Sequence, residues 1–173
     1  GLDLEQIGWI DASNETVKCV VKVASQVAPW SPSTPNLYTL KLEAQGFEKT
    51  FQFGFRTLEA KGNKFYLNGE PFFVRGNLEN CHFPLTGYPV MDKAGWKKII
   101  QAQKDEGANQ LRFHTWCPPQ AAFDAADEVG MMLSPEAGIW IDGWMTKDFP
   151  YLQGLGNGPA SVDDFVKKIQ YSY

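Results

Sequence analysis

Nine residues, Leu111 to Pro119 (LRFHTWCPP), place an arginine, a histidine, a tryptophan and a cysteine directly before two prolines. A guanidinium pairs with carboxylates through two parallel hydrogen bonds, and an imidazole moves protons near neutral pH. An indole offers a flat apolar face, and a thiolate is a nucleophile or a metal ligand. Two further stretches carry the same kind of side chain. Gly76 to Pro84 (GNLENCHFP) holds Cys81 and His82, and Pro135 to Trp144 (PEAGIWIDGW) holds Glu136, Trp140, Asp142 and Trp144. His82 and His114 are the only histidines in the chain.

Each candidate has a plain structural alternative. Arg112 is either a ligand-binding group or a partner for Glu136. Trp116, wedged before two prolines, is either a core aromatic or a wall on which a sugar ring stacks. Glu136 follows a proline at a strand end, a poor place for a solvated surface charge. Cys81, His82, His114 and Cys117 are together four potential zinc ligands. Neighbours in extended chain point to opposite faces, however, so Cys81 and His82 do not readily share one ion. A Cys/His nucleophilic pair is conceivable, but nothing marks either thiol as activated. No glycine-rich phosphate loop is present, and the sequence implies no cofactor and no metal site. The site set is therefore His82, Arg112, His114, Trp116 and Glu136, as binding residues.

The elements that must position them change character near residue 60. Thr16 to Val23 (TVKCVVKV), Leu37 to Ala44 (LYTLKLEA) and Lys49 to Phe55 (KTFQFGF) alternate apolar and polar residues, as strands do. Proline-rich turn sequence separates the first two. Such strands suggest a sandwich. About four strands fit where a full immunoglobulin-like sandwich takes about seven, so part of one is expected. Phe65 to Gly76 (FYLNGEPFFVRG) forms a hairpin about Asn68-Gly69, and its apolar second arm is expected to be the first strand of a parallel sheet, buried on both faces.

From there strands and helices alternate. Asp92 caps a helix that presents Trp96, Ile99 and Ile100, and Gly107 ends it. Ala108 to His114 is the next strand. Pro118 and Pro119 open a helix that presents Phe123, Ala126 and Val129 up to Gly130. MMLSPE is the third strand, and a last helix is expected from Ser161, with Asp164 completing a near capping box. This order gives an α/β fold with a β part in front: a partial sandwich over residues 1–60, then three β–α units over 61–173. Those units form a parallel sheet or open a (β/α)8 barrel. A whole barrel takes about 250 residues, so the chain is expected to be a piece of a longer protein. Its open sheet edges would favour self-association. In a barrel, chemistry gathers where strands end, and the three reactive stretches all follow strands.

Composition excludes several partners. A formal charge of −4 with scattered lysines and arginines provides no basic stripe for nucleic acid. No apolar run approaches the roughly 20 residues that span a bilayer. Three cysteines are an odd count for a disulfide framework. Aromatics, at 14% with six Trp, are the outlier, and they suit either sugar stacking or a core.

Taken together, these stretches resemble glycoside hydrolase family 2, the β-galactosidase and β-glucuronidase family. PWSPSTPNLYTLKLEA and FGFRTLE are similar to the end of its immunoglobulin-like domain, and FYLNGEPFFVRG to the junction with its TIM barrel. NCHFPLTGYPVM is similar to the histidine-rich loop after the first barrel strand, EGANQLRFH to the second strand, and FDAADEVGMMLSPE to the second helix and third strand. The resemblance implies a carbohydrate substrate and hydrolysis of O-glycosidic bonds. It implies that His82 lines a sugar subsite, that Arg112 lies near the nucleophile, and that Glu136 matches a residue that binds magnesium in some members. The chain departs from the family's Arg-x-Ser-His-Tyr-Pro pattern. His114 comes one position early, Thr115 stands where the histidine is usual, Trp116 replaces tyrosine, and Pro135 replaces the Asp before Glu136. The departures bear on substrate and magnesium more than on fold.

Retaining glycosidases need an acid/base carboxylate and a nucleophile carboxylate about 5 Å apart. The family's Asn-Glu pair occurs here only as Asn14-Glu15, in the β part. Both catalytic carboxylates are therefore expected outside this chain. The alternative from another class is a non-catalytic carbohydrate-binding or interaction module.

Overall fold

The computed structural model describes residues 4–6, 21–23, 26–44 and 46–136. Asn14-Glu15, most of the strand expected from Thr16, Trp140, Asp142, Trp144 and the helix expected from Ser161 lie outside the described residues. The chain divides into two compact units, Gly1–Pro71 and Phe72–Tyr173.

The described residues of unit 1 form antiparallel β-structure. β1 (Leu4–Gln6) pairs with β2 (Val21–Val23), and β3 (Tyr38–Ala44) pairs with β4 (Phe47–Phe53). Alternation sets the β3–β4 register, with Tyr38 opposite Phe53 and Leu40 opposite Phe51, so one face of the ribbon is apolar except for Lys49, opposite Leu42. A third sheet has the order β5 (Leu58–Lys61), β6 (Lys64–Leu67), β7 (Glu70–Phe72). β5 was not expected from the sequence; its short LEAK segment pairs with β6 across the turn at Gly62. The Asn68-Gly69 turn has φ of 54° and 85°, the two positive angles that a tight hairpin requires.

Asn68 does more than turn the chain. Its Nδ2 donates to the Trp30 carbonyl at 2.9 Å, and its Oδ1 accepts from Thr57 N–H at 3.0 Å. Trp30 is buried, with the Arg56 guanidinium 4.9 Å from its ring centre. Gly54 lies so close that a Cβ there would sit 2.7 Å from the Trp30 Cβ.

Unit 2 holds a parallel sheet in the order β10 (Met132–Pro135), β9 (Gln110–Phe113), β8 (Gly76–Glu79). Gly76, Gln110 and Met132 share one register level, and Leu78, Arg112 and Ser134 share another. The expected first parallel strand needs correction. Pro71 to Arg75 is not its ladder, and β8 begins only at Gly76. The physical reason is Asn109, which is 5% exposed. Its Nδ2 donates to the Phe73 carbonyl at 2.9 Å, and its Oδ1 accepts from Arg75 N–H at 2.8 Å, so side-chain bonds join the one backbone bond, Asn109 N–H to the Arg75 carbonyl, in holding that segment. β8 is also not buried on both faces, because three of its four residues are exposed.

Helix α1 (Lys93–Asp105) and helix α2 (Gln120–Val129) pack on one another. The Asp92 carboxylate caps α1 by accepting from Gly95 N–H at 2.8 Å. Gly107, at φ 90°, follows its end, and Gly130, at φ 87°, closes α2. The core gathers Trp96 and Ile100 of α1, Leu111 and Phe113 of β9, and Met131. On α2 the fully buried residues are Ala122, Ala125 and Ala126, while Phe123 and Val129 are only half-buried. The expected Phe123–Ala126–Val129 stripe is therefore rotated toward alanines, which permit close approach to α1 and the sheet. Glu128 braces the pair by accepting from Lys93 at 2.6 Å and pairing with Lys97. Those lysines hold its carboxyl below the usual range, through hydrogen bonds first and charge second.

Candidate functional site

Parallel pairing forces the C-terminal ends of β8, β9 and β10 to one end of the sheet. Glu79 closes β8, His114 and Thr115 follow β9, and Glu136 follows β10. The two in-register faces divide the labour. Leu111 and Phe113 go into the core with the helices, while Arg112, between them in sequence, is exposed on the opposite face beside Leu78 and Ser134.

Glu136 is the anchor of the strand-end cluster. Its Oε1 accepts from Arg112 Nε at 2.5 Å and also pairs with Nη2, a charge-assisted arrangement. Its Oε2 accepts from Thr115 N–H at 2.8 Å, and its own N–H donates to the Trp116 carbonyl at 3.2 Å. The Thr115 N–H holds the Glu136 carboxyl below the ordinary range, with the Arg112 hydrogen bond next and the charges of Arg112 and His114 adding. Such a carboxylate stays ionised near neutral pH. It is suited to holding Arg112 and the β9 loop and unsuited to donating a proton.

A second set of bonds joins β8 to the β9 loop. The Glu79 carbonyl accepts from His114 N–H at 2.9 Å and from Trp116 Nε1–H at 3.3 Å. Its side-chain Oε1 accepts from Cys81 N–H at 2.6 Å. Cys81 and Thr115 have φ of 59° and 65°, a left-handed conformation uncommon outside glycine that gathers at functional sites.

Among the expected site residues, Arg112, Trp116 and Glu136 are thus in direct contact or one bond apart, and His114 joins them through its backbone. His82 is exposed on the loop after β8, one residue beyond Cys81. Trp116 is half-buried, its ring 5.2 Å from Phe113, 6.2 Å from Phe83 and 6.3 Å from Trp96. Its main contacts are therefore with the core. Partial desolvation raises the Cys81 thiol above its ordinary range, and the charge of Glu79 adds to this, so it is not an activated nucleophile. Among the described residues no three His, Cys, Asp or Glu are gathered as a metal ion would need. Sequence reasoning missed Glu79, Asn109 and Thr115. Glu79 was visible only as an acidic strand end, and the other two carried no signal of their own.

Among the described residues the fold is mostly β with few helices, and a polar cluster lies at the ends of its parallel strands. The sequence profile for glycosyl hydrolases family 2 matches residues 7–56. The chain belongs to that family. It is 36% identical over 126 residues to a putative β-glucuronidase of Formosa agariphila, covering 68% of this chain and 12% of that protein. It is 30% identical over 114 residues to a β-galactosidase of Staphylococcus xylosus, covering 66% of this chain and 11% of that protein. Among solved structures, the β-glucuronidase of Parabacteroides merdae superposes with a TM-score of 0.59 at 25% identity, over 70% of this chain and 16% of its own. β-Glucuronidase 3 of Bacteroides uniformis does so with a TM-score of 0.56 at 27% identity, over 68% and 15%. The chain thus spans only about an eighth of the curated relatives' length.

Proposed function

We propose that this chain supplies one wall of the sugar site of a retaining β-glycoside hydrolase. On this reading residues 1–60 are part of an immunoglobulin-like sandwich, and residues 61–173 are the first three β–α units of a (β/α)8 barrel. The observation that carries the proposal is the parallel β8–β9–β10 sheet, whose strand ends gather Arg112, His114, Thr115, Trp116 and Glu136.

The roles follow from the bonds. Glu136, ionised and doubly held, fixes the Arg112 guanidinium and the β9 loop. Arg112, His82 and His114 are exposed and supply donors to sugar hydroxyls. Trp116, fixed by its neighbouring rings, shapes the wall. Protonation of the leaving oxygen and formation of the glycosyl-enzyme bond fall to two carboxylates outside residues 1–173, about 5 Å apart as retention requires. The named activities of the relatives make β-glucuronides and β-galactosides the first substrates to try.

The test is His82→Ala in the full-length protein that carries this chain, assayed on nitrophenyl β-glycosides. Losing one sugar hydrogen bond corresponds to roughly a tenfold fall in kcat/KM, with the unfolding midpoint unchanged. Wild-type kcat/KM in the variant would remove His82 from the site.

A further inference from the structure

The two loops that form the site share one device, a left-handed residue whose N–H is held by a carboxylate. At Thr115 the left-handed backbone is held by Glu136. At Cys81 the equivalent hold is the Glu79 carboxylate, 2.6 Å from the Cys81 nitrogen. A residue with a Cβ disfavours that conformation, so without an acceptor the loop has little reason to keep it. The next residue in the chain is His82.

We infer that Glu79 is a positioning residue of the site: its carboxylate holds the left-handed turn at Cys81 and so fixes where His82 is delivered. The inference rests on the proposal that His82 contacts the sugar. The two halves of Glu79 act separately. The ties to the second loop, His114 N–H and Trp116 Nε1–H, fall on its backbone carbonyl, which any residue at 79 keeps. The carboxylate bond runs into the first loop alone. Replacing the side chain should therefore release the Cys81–His82 turn and leave β8–β9 pairing, Trp116 and Arg112–Glu136 in place. An amide at 79 still offers Oε1 as an acceptor, whereas a methyl offers none.

The experiment uses the full-length protein with Glu79→Ala, Glu79→Gln, Cys81→Gly combined with Glu79→Ala, and His82→Ala with and without Glu79→Ala. Hydrogen–deuterium exchange of the peptide spanning Cys81 and His82 is read by mass spectrometry, and kcat and KM are measured on the best aryl glycoside. We expect Glu79→Ala to speed exchange in that peptide by tenfold or more and to lower kcat/KM by ten- to a hundredfold, as misplacement by about 1 Å does. Glu79→Gln should stay within about threefold of wild type in both, the scale of a hydrogen bond weakened by loss of charge. Cys81→Gly should restore part of the loss, because glycine adopts the turn without help. In the His82→Ala background Glu79→Ala should cost little more, a coupling that a merely structural role would not produce. Unchanged exchange in Glu79→Ala overturns the inference whatever the activity. Fast exchange with full activity overturns it too. An inactive wild type with exchange responding as expected would instead locate the failure in the proposed function. If Glu79→Ala does not fold, Glu79→Met, which fills similar space but offers the Cys81 N–H no carboxylate, takes its place with the same expected outcomes.

Discussion

Asn109→Ala removes the one buried polar side chain among the described residues that fixes the entry to the parallel sheet. Two bonds disappear, Nδ2 to the Phe73 carbonyl at 2.9 Å and Arg75 N–H to Oδ1 at 2.8 Å. Each backbone group left without a partner costs about 1–3 kcal/mol when buried. Phe73 and Arg75 are themselves exposed, so water recovers part of that cost, and the low end of the range applies to each. The expected loss is therefore about 2 kcal/mol. Asn109→Asp separates the two bonds, because it keeps the acceptor for Arg75 N–H but has no donor for Phe73, and it buries a charge besides. It should be at least as damaging as alanine. The backbone bond from Asn109 N–H to the Arg75 carbonyl survives in both variants. In a protein with several domains a single unfolding transition is hard to assign. The assay is therefore native-state hydrogen exchange of the peptide containing residues 73–79, which reports local opening. A change under about 0.5 kcal/mol in Asn109→Ala would refute the idea that this side chain helps to hold the segment before β8.

Acidification should release the strand-end cluster. Glu136 has a carboxyl held below its unfolded value, so its contribution is present above the unfolded value and is lost as pH falls through the folded one, below the ordinary carboxylate range. Exchange at Thr115 should rise over that acid window in wild type and be high at all pH in Glu136→Ala; a pH-independent wild type would contradict this. Gly54→Ala should destabilise unit 1 by about 1–3 kcal/mol, since its Cβ would lie 2.7 Å from the Trp30 Cβ. A thermal midpoint equal to wild type would show that Trp30 gives way freely. Trp96→Ala, at the centre of the aromatic cluster, should cost about 3–5 kcal/mol, and denaturant unfolding followed through Trp116 fluorescence is the measurement.

How legible all this was in the sequence depends on what sort of signal each element carries. Asp92, Gly107 and Gly130 announced both helices, because caps are local chemistry that needs no partner. Asn68-Gly69 announced the hairpin for the same reason. The first parallel strand was misplaced because PFFVRG is more apolar than GNLE, and pattern alone favours it. What moved the ladder was a side chain 34 residues away, Asn109, reaching Arg75. The alanine face of α2 was likewise hidden, since alanine reads as neutral until a second helix comes close. In the site, Arg112 and Glu136 were legible as a pair of opposite charges at strand ends. Thr115 and Glu79 were not, because backbone N–H groups in left-handed turns leave no mark on residue type.

Hydrolysis itself tests the central claim most directly. The full-length protein and residues 1–173 alone would be assayed side by side on nitrophenyl β-galactoside, β-glucuronide and β-mannoside. The anomer first released would be followed by proton NMR. The account predicts turnover of at least one substrate by the full-length protein, with the β-anomer appearing first, and none by residues 1–173. Turnover by residues 1–173 at the full-length rate would mean that carboxylates within them do the chemistry, and would contradict the account.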